Sequence, residues 1–167
     1  MGIRVELNGK SIAIVIFVLV GLGGLLGVAY YMRNGMTDSD CQDNMIQLMN
    51  RVNMYRHMND QFPPSWMMIE YIGNHKLSEF PCPGAVKNGG GPHSASSDYI
   101  YIPWTKGEAG EDWNGKLPVF YDASYANHRG RGINIKFSDN SVMFDEGGKW
   151  LKNFAASHPN AKIPMPQ

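Results

Sequence analysis

The sequence predicts an α+β protein: an N-terminal transmembrane helix, then an amphipathic helix packed on a small antiparallel sheet. Three observations predict this fold. Residues 11–32 carry no charge, apolar residues recur at helical spacing from Cys41 to Tyr55, and short alternating segments follow Asp98. A helix followed by antiparallel strands is typical of the α+β class.

The uncharged segment 11–32 is long enough to cross a bilayer as a helix. At about 1.5 Å per residue it spans about 33 Å, and the hydrocarbon core is about 30 Å thick. A cleaved signal peptide usually has an apolar region of about 7–15 residues and an Ala-x-Ala-like site. The segment here is longer and ends in Val28-Ala29-Tyr30-Tyr31. We therefore predict an uncleaved anchor that keeps the first ten residues.

Charges on the two flanks of this segment predict its orientation. Arg4, Lys10 and the terminal amine precede it, against Glu6, whereas Arg33 and then Asp38, Asp40 and Asp43 follow it. Because positive flanks stay in the cytoplasm, we expect the N-terminus inside and the rest exported. The predicted organisation is a cytoplasmic N-terminus over 1–10, a transmembrane helix over 11–32, a juxtamembrane turn over 33–38, one extracytoplasmic domain over 39–156 and a frayed, Pro-rich tail over 157–167. The sequence leaves open whether Gly35 is a true break or only a kink between two continuous helices.

The exported part is predicted to form a helix, a second short helix and then strands. The apolar stripe of the first helix, predicted over 39–60, comprises Cys41, Met45, Leu48, Met49, Val52 and Tyr55. Arg51 and Arg56 lie off that stripe, and Pro63-Pro64 ends the helix. The later elements are a helix over 66–72, strands over 99–102, 117–121, 133–137 and 141–144, and a closing helix over 149–156.

The two cysteines of the chain, Cys41 and Cys82, both lie in the exported part. In an oxidising compartment, two lone cysteines favour a disulfide over a metal site, which needs further ligands at close spacing. Closing a loop of about 42 residues contributes about 3–4 kcal/mol in the chain-entropy model. We therefore predict a Cys41–Cys82 disulfide.

Two groups of residues predict contacts with partners. Small residues line the membrane segment at Gly21, Gly23, Gly24 and Gly27. They would let another transmembrane helix approach closely, so membrane lipid and other membrane subunits are the expected partners. Trp104 and Trp113 lie in a polar loop and are candidate contact residues. The formal net charge is zero, which argues against a nucleic-acid partner.

The candidates for chemistry are few. His128, Asp122 and Asp139 could form an acid–base or metal constellation. The favoured interpretation is structural, with His128 bonded to a backbone or carboxylate group and Asp139 in a hairpin turn beside Asn140. Thioethers suit Cu(I), but Met is an ordinary core residue. The methionines considered for copper are Met45, Met49, Met54 and Met58. No Gly-x-Ser-x-Gly motif occurs, and no catalytic residue is predicted.

Several short motifs in order resemble those of type IV pilin-like and type II secretion pseudopilin-like proteins, in particular the branch with a C-terminal His-x9-Asp-Gly motif. The matching segments are Cys41-Gln42-Asp43-Asn44, Phe62-Pro63-Pro64-Ser65, Cys82-Pro83, Tyr99-Ile100-Tyr101, His128-Arg129-Gly130 and Phe137-Ser138-Asp139-Asn140-Ser141-Val142. The resemblance implies a long helix on an antiparallel sheet. His128, Asp139 and Asn140 are then the structural motif.

The chain also departs from that family. Ten residues separate His128 from Asp139, and Asn140 stands where the family has Gly. The prepilin processing signature is absent, because Lys10 follows Gly9 and no acidic residue occurs within the apolar segment. The sequence therefore predicts a pilin-like domain on a plain anchor.

The resemblance, the membrane segment with its glycines, the two loop tryptophans and the lack of a catalytic motif together predict a location and a role. The expected location is the bacterial inner membrane, crossed once, with the domain in the periplasm. The expected role is a non-catalytic structural or accessory subunit of a larger envelope complex. The alternative is a minor pseudopilin or pilin subunit, and a third class is an exported metal-binding protein or enzyme. The expectation is that no cofactor is bound. Calcium is the alternative considered, because related pseudopilins often bind it through loop carboxylates and carbonyls, although no EF-hand-like spacing occurs. The available acidic residues are Glu108, Glu111, Asp112, Asp122 and Asp139.

Overall fold

The structure is a computed structural model that describes residues 9–88 and 93–167. Side chains are described throughout these ranges except at 9–16, 30–38, 88, 111 and 114. The chain divides into two compact units, Met1–Met36 and Thr37–Gln167.

The predicted α+β class is confirmed by the described elements. The α-helices are α1 (Gly9–Asn59), α2 (Trp66–Gly73), α3 (Pro83–Asn88), α4 (Ala95–Asp98), α5 (Lys106–Ala109) and α6 (Lys149–Ser157), with 3-10 turns at Leu77–Glu79, Gly110–Asn114 and Tyr125–His128. The strands are β1 (Tyr99–Tyr101), β2 (Pro118–Asp122), β3 (Gly132–Phe137) and β4 (Val142–Glu146). They form one antiparallel sheet in the order β1-β2-β3-β4.

The first unit contributes the beginning of α1. Side chains from 17 to 29 are exposed on this helix. Within the part of the chain that the structure describes, no helix is both long enough and apolar enough to span a membrane. The transmembrane segment 11–32 therefore stays a prediction. The predicted cytoplasmic N-terminus lies, up to residue 8, outside the described residues.

The juxtamembrane turn predicted over 33–38 is wrong, because these residues are helical within α1. Asn34-Gly35 is a turn signal in sequence. A single glycine in a helix interior costs only about 1 kcal/mol relative to alanine. Helix formation on both sides outweighs a penalty of that size.

The apolar stripe of α1 is confirmed as part of the core of the second unit. Its fully buried members are Cys41, Met45, Leu48, Met49 and Val52. The helix ends at Asn59, where Asp60 takes a left-handed conformation with φ of 52° ahead of Pro63. Tyr55, the last residue of the stripe, is half-buried.

Strand register determines which residues face α1. On that side lie Tyr99, Tyr101, Phe120, Asp122, Asn134 and Lys136, as the cross-strand pairs require. Tyr99 donates a hydrogen bond from its hydroxyl to the carbonyl of Cys41 at 3.4 Å, which fixes the contact with the helix. A register shift between Pro118 and Phe120 marks a bulge in β2.

A second layer covers the opposite face of the sheet. Ile133, Ile135 and Phe137 point to this side, where Phe137 meets the edge of Trp150 on α6 at 5.0 Å. The tail 157–167 also belongs to this layer, so the prediction of a frayed tail is wrong. Its backbone is held by hydrogen bonds from Gln167 N to Ala123 O at 2.9 Å and from Tyr125 N to Gln167 O at 3.0 Å.

Candidate functional site

A buried polar network lies between α1 and the sheet. Nε2 of His128 is 2.8 Å from Oδ2 of Asp122, and the backbone N–H of Asn134 donates to the same oxygen at 2.6 Å. The side-chain amide of Asn134 lies 3.0 Å from His128 Nε2. Gln42 of α1 donates to Asn134 Oδ1 at 3.0 Å, so the network joins the helix to two strands.

Local structure places each member of this network. Asp122 is the last residue of β2, and His128 ends the 3-10 turn Tyr125–His128. Arg129 then takes a left-handed conformation, with φ of 59°, that returns the chain toward β3. Asn134 alternates with the apolar residues of β3 and therefore faces the helix.

Burial controls the electrostatics of the Asp122–His128 pair. Neither side chain has solvent exposure. Desolvation raises the pKa of Asp122, and hydrogen bonds from His128 and Asn134 oppose that shift. Oδ1 of Asp122 is buried and has no hydrogen-bond partner. Without access to solvent, this pair cannot exchange a proton with a bound substrate in this conformation, so its geometry fits a structural role.

The Cys41–Cys82 disulfide is confirmed and lies beside this pair. The Cα atoms of the two cysteines are 5.0 Å apart, within the usual range for a bridge. Ligand atoms of Cys41, Cys82, Asp122 and His128 all lie within 4.8 Å of one another. The disulfide is therefore a close neighbour of the buried carboxylate and imidazole.

Asp139 and Asn140 lie apart from His128, in the turn between β3 and β4. Asp139 Oδ1 accepts hydrogen bonds from the backbone N–H of Ser141 at 2.9 Å and from its hydroxyl at 2.6 Å. These bonds lower the pKa of Asp139. Asn140 has φ of 71°, a left-handed conformation that asparagine tolerates. The two residues thus shape the hairpin, as the structural interpretation expected.

The calcium set predicted from sequence is not brought together. Asp112 pairs with His158 at 3.0 Å, whereas Asp122 and Asp139 have the separate partners given above. Glu108 caps α5 through Thr105, and the side chain of Glu111 lies outside the described residues. Among the described side chains, the one group with metal-ligand spacing is Cys41, Cys82, Asp122 and His128. Each of these carboxylates is instead held by a partner of its own: His158 for Asp112, His128 and Asn134 for Asp122, and Ser141 for Asp139.

The prediction that Trp104 is a surface contact is wrong. The side chain is buried, and Nε1 donates to Pro118 O at 2.6 Å. A tryptophan in a polar loop can reach back into the core when its N–H finds a carbonyl there. Trp113 is half-buried and meets Phe62 edge-on at 5.5 Å, so it keeps an exposed part.

A cleft of about 610 Å³ lies beside Trp113. Its lining combines aromatic and proline side chains with polar ones: Asn59, Asp60, Gln61, Phe62, Pro64, Pro103, Trp104, Thr105, Lys106 and Trp113. Lys106 and Asp60 form an exposed ion pair at its edge. The Arg56 guanidinium lies over the ring of Phe62, a lining residue, at 4.3 Å.

The methionines considered for copper are divided between core and surface. Met45 and Met49 are fully buried in the apolar stripe, whereas Met54 and Met58 are 56% and 67% exposed. The buried pair therefore fills the core.

Several polar residues with structural roles inside the domain were not singled out in sequence, among them Arg51, Lys136, Gln42 and Asn134. Arg51 is buried, donates to His75 O at 3.1 Å and lies over the Phe80 ring at 4.5 Å. Lys136 is fully buried, and its ammonium donates to the main-chain oxygen of Asn140. Gln42 and Asn134 complete the network around His128. The closing helix predicted over 149–156 could have indicated that Asn134 and Lys136 are buried. With a second layer on the sheet, neither face of the strands is open to water.

Comparison with known proteins assigns no family to this geometry. No protein-family model, curated protein or solved structure matches the chain. The pilin resemblance therefore rests on the sequence motifs and stays a prediction.

Proposed function

We propose that this chain is a non-catalytic, single-pass membrane protein whose pilin-like domain serves as an accessory subunit of a larger envelope complex. In this proposal residues 1–10 are cytoplasmic, 11–32 cross the bacterial inner membrane and 39–156 form the periplasmic domain. Its partners are membrane lipid and other membrane subunits.

The observation that carries the proposal is the exposed apolar segment of α1. Phe17 is 82% exposed, Leu25 and Leu26 are each 70% exposed, and a Cβ added at Gly23 or Gly27 would meet no atom within 4 Å. Soluble monomers rarely expose so much contiguous apolar surface. Lipid would cover the large side chains, and a second helix would pack against the glycines.

Two features of the domain further support a role in binding a partner protein. Its conspicuous ionisable pair, Asp122 and His128, is fully buried and holds secondary-structure elements together. One of its accessible clefts lies beside Trp113 and includes aromatic and proline side chains in its lining. Aromatic residues at the edge of such clefts often dominate interface energetics.

Replacing Gly23 and Gly27 with leucine tests the membrane contact. We expect the double variant to lose its copurifying subunits from gently solubilised membranes, because bulky side chains would block helix approach. The matched control replaces Val20 and Val28, which are 70% and 52% exposed, with leucine and should keep them. The thermal unfolding midpoint of the domain should stay unchanged in both variants. Unchanged copurification of the glycine variant, or a wild-type chain that migrates alone in mild detergent, contradicts the proposal.

Replacing Trp113 with alanine tests the domain contact. We expect loss of a partner that copurifies through the domain, whereas Tyr71→Ala should retain it. Tyr71 is the matched control because it is an aromatic residue, 84% exposed, that does not line the cleft. Equal retention by both variants would remove the cleft from the proposal.

A minor pseudopilin or pilin subunit is the second candidate function. The observation in its favour is the element order, a long N-terminal helix before a four-stranded antiparallel sheet. Intact mass and N-terminal sequencing of the native protein separate the two functions. A chain that begins at Lys10 with a methylated amine supports the pseudopilin. A chain that keeps Gly9 and the preceding residues, with or without Met1, supports the accessory subunit.

A further inference from the structure

We propose that the reduced form of this protein binds a divalent transition metal of the zinc type through Cys41, Cys82, Asp122 and His128. The four ligand atoms lie within 4.8 Å of one another, and all four residues are buried. Two thiolates, an imidazole and a carboxylate form a donor set that suits tetrahedral zinc. This site differs from the predicted calcium set, of which it shares only Asp122.

The spacing of the donor atoms fits a small tetrahedral ion. Zinc binds sulfur at about 2.3 Å and nitrogen or oxygen at about 2.0–2.2 Å, which places neighbouring ligand atoms about 3.3–3.8 Å apart. Groups already within 4.8 Å reach that arrangement by small side-chain movements. The Cα separation of 5.0 Å between the cysteines also allows both sulfurs to face one ion.

Asp122 supplies an independent indication of a cation. Its Oδ1 is buried without a hydrogen-bond partner, whereas Oδ2 already accepts from Asn134 N and contacts His128. A buried carboxylate oxygen without a donor is unfavourable, and a metal ion would satisfy it. Asn134, itself held by Gln42, would keep the carboxylate oriented as an outer-shell group does in metal sites.

The oxidation state of the cysteines controls this site. In the disulfide the two sulfurs are bonded to each other and provide no thiolate. A dithiol reductant transfers two electrons and two protons to the bridge, becomes a disulfide itself and leaves Cys41 and Cys82 as thiols. Metal binding then replaces both thiol protons, which pass to solvent, and the ion enters between Asp122 and His128. The inference goes beyond the proposed function and does not depend on the membrane anchor.

Cobalt titration of the full chain tests the proposal. The detergent-solubilised protein is reduced with a phosphine, kept anaerobic and titrated with Co²⁺. We expect one Co²⁺ per chain, with the strong visible absorption of a tetrahedral site and a near-ultraviolet thiolate-to-cobalt band, and displacement by Zn²⁺. The oxidised protein should show neither absorption. Zn²⁺ should also raise the thermal unfolding midpoint of the reduced protein alone.

Variants identify the ligands. Cys41→Ala with Cys82→Ala should abolish the charge-transfer band, and Asp122→Asn should weaken Co²⁺ affinity by about tenfold or more. Asp98→Asn is the matched control, because Asp98 is a buried carboxylate that accepts from Cys82 N at 2.9 Å but lies outside the ligand set. It should change the affinity by less than about threefold.

Three results would overturn the proposal. The first is a folded, reduced chain that gives no tetrahedral cobalt spectrum. The second is an equal loss of affinity in Asp122→Asn and Asp98→Asn, which would indicate general disruption and no ligand role. The third is a reduced chain that stays unfolded with and without Zn²⁺, because a site that forms on reduction must stabilise the fold that contains it.

Discussion

The two faces of the sheet are covered in different ways. Toward α1, Asp122, His128 and Asn134 form a hydrogen-bonded network with Gln42. Toward α6, β3 presents Ile133, Ile135 and Phe137 to aromatic and aliphatic side chains. One strand, β3, thus contributes alternate residues to two different kinds of core.

This difference determines how each face responds to substitution. A buried hydrogen-bond network fixes the relative positions of the elements that it joins, because losing one member leaves its partners without a hydrogen bond. An apolar face depends on volume and tolerates swaps that conserve it. The polar face should therefore show large, pH-sensitive effects, and the apolar face smaller ones that follow volume.

The largest expected effect is loss of the disulfide on the polar face. Replacing Cys41 and Cys82 with alanine should lower the free energy of unfolding by about 4 kcal/mol, since the bridge closes a separation of 41 residues. Urea unfolding of the oxidised wild-type chain and the variant measures the difference. The reduced, metal-free wild type should show most of the same loss, and a loss below about 1 kcal/mol would contradict the prediction.

Removal of the buried carboxylate should have the next largest effect. Asp122→Ala leaves His128 and the N–H of Asn134 without their acceptor, so the free energy of unfolding should fall by about 3 kcal/mol. Asp122→Asn keeps an oxygen for Asn134 and should recover at least half of that loss in the same urea measurement. Equal losses in the two variants would mean that side-chain volume, and not hydrogen bonding, determines the stability of this face.

Lys136 tests the pH sensitivity of the polar face. Burial lowers the pKa of Lys136, so the folded state releases this proton at lower pH than the unfolded chain does. Its contribution to the free energy of unfolding therefore rises with pH between that lowered pKa and the ordinary value of about 10.4. Lys136→Met should stabilise the protein by about 1 kcal/mol at neutral pH and remove this rise.

The difference between wild type and Lys136→Met isolates this lysine from other groups. Burial raises the pKa values of Tyr99, Tyr101 and Tyr121, which gives an opposite alkaline trend in both proteins. A difference that stays constant with pH would contradict the assignment to Lys136.

Ile135 gives the matching test on the apolar face. Ile135→Val removes one buried methylene and should cost about 1 kcal/mol, independent of pH. Unfolding curves at neutral and alkaline pH provide the check. A pH-dependent cost at this position would mean that the two faces are not energetically separate.

The smallest expected effect lies at Asn140, in the turn that joins β3 and β4. Asn140→Gly should change the free energy of unfolding by less than about 0.5 kcal/mol, because both residues accept the φ of 71°. Asn140→Ala should cost about 1 kcal/mol for the same left-handed conformation. Thermal unfolding distinguishes the two, and equal costs would point to a lost side-chain contact instead.

Local patterns predicted most elements of the domain. The spacing of Cys41, Met45, Leu48 and Val52 indicated the buried face of α1, and the alternation from Ile133 to Phe137 before Asp139-Asn140 indicated the hairpin. The disulfide followed from the presence of only two cysteines. These signals depend on neighbours in sequence, so no tertiary information was needed.

Tertiary contacts account for what sequence could not predict. Asn134 and Lys136 resemble solvent-facing strand residues until α1 and the second layer are known to enclose both faces. Trp104 lies among polar neighbours in sequence, yet its ring contacts Phe154, which lies on α6, and His158, which directly follows α6. Gln42 and Asn134 are 92 residues apart, a distance over which no local periodicity carries information.

That separation has a consequence for how the protein is made. The helix α1 is synthesised early, but part of the sheet that covers it lies on β3 and emerges about ninety residues later, as the Gln42–Asn134 contact shows. Folding dominated by such distant contacts is slow, because a long loop must close before they form. The emerging chain therefore carries an uncovered apolar helix throughout synthesis of the domain, and we expect it to need a holding chaperone until β3 is complete.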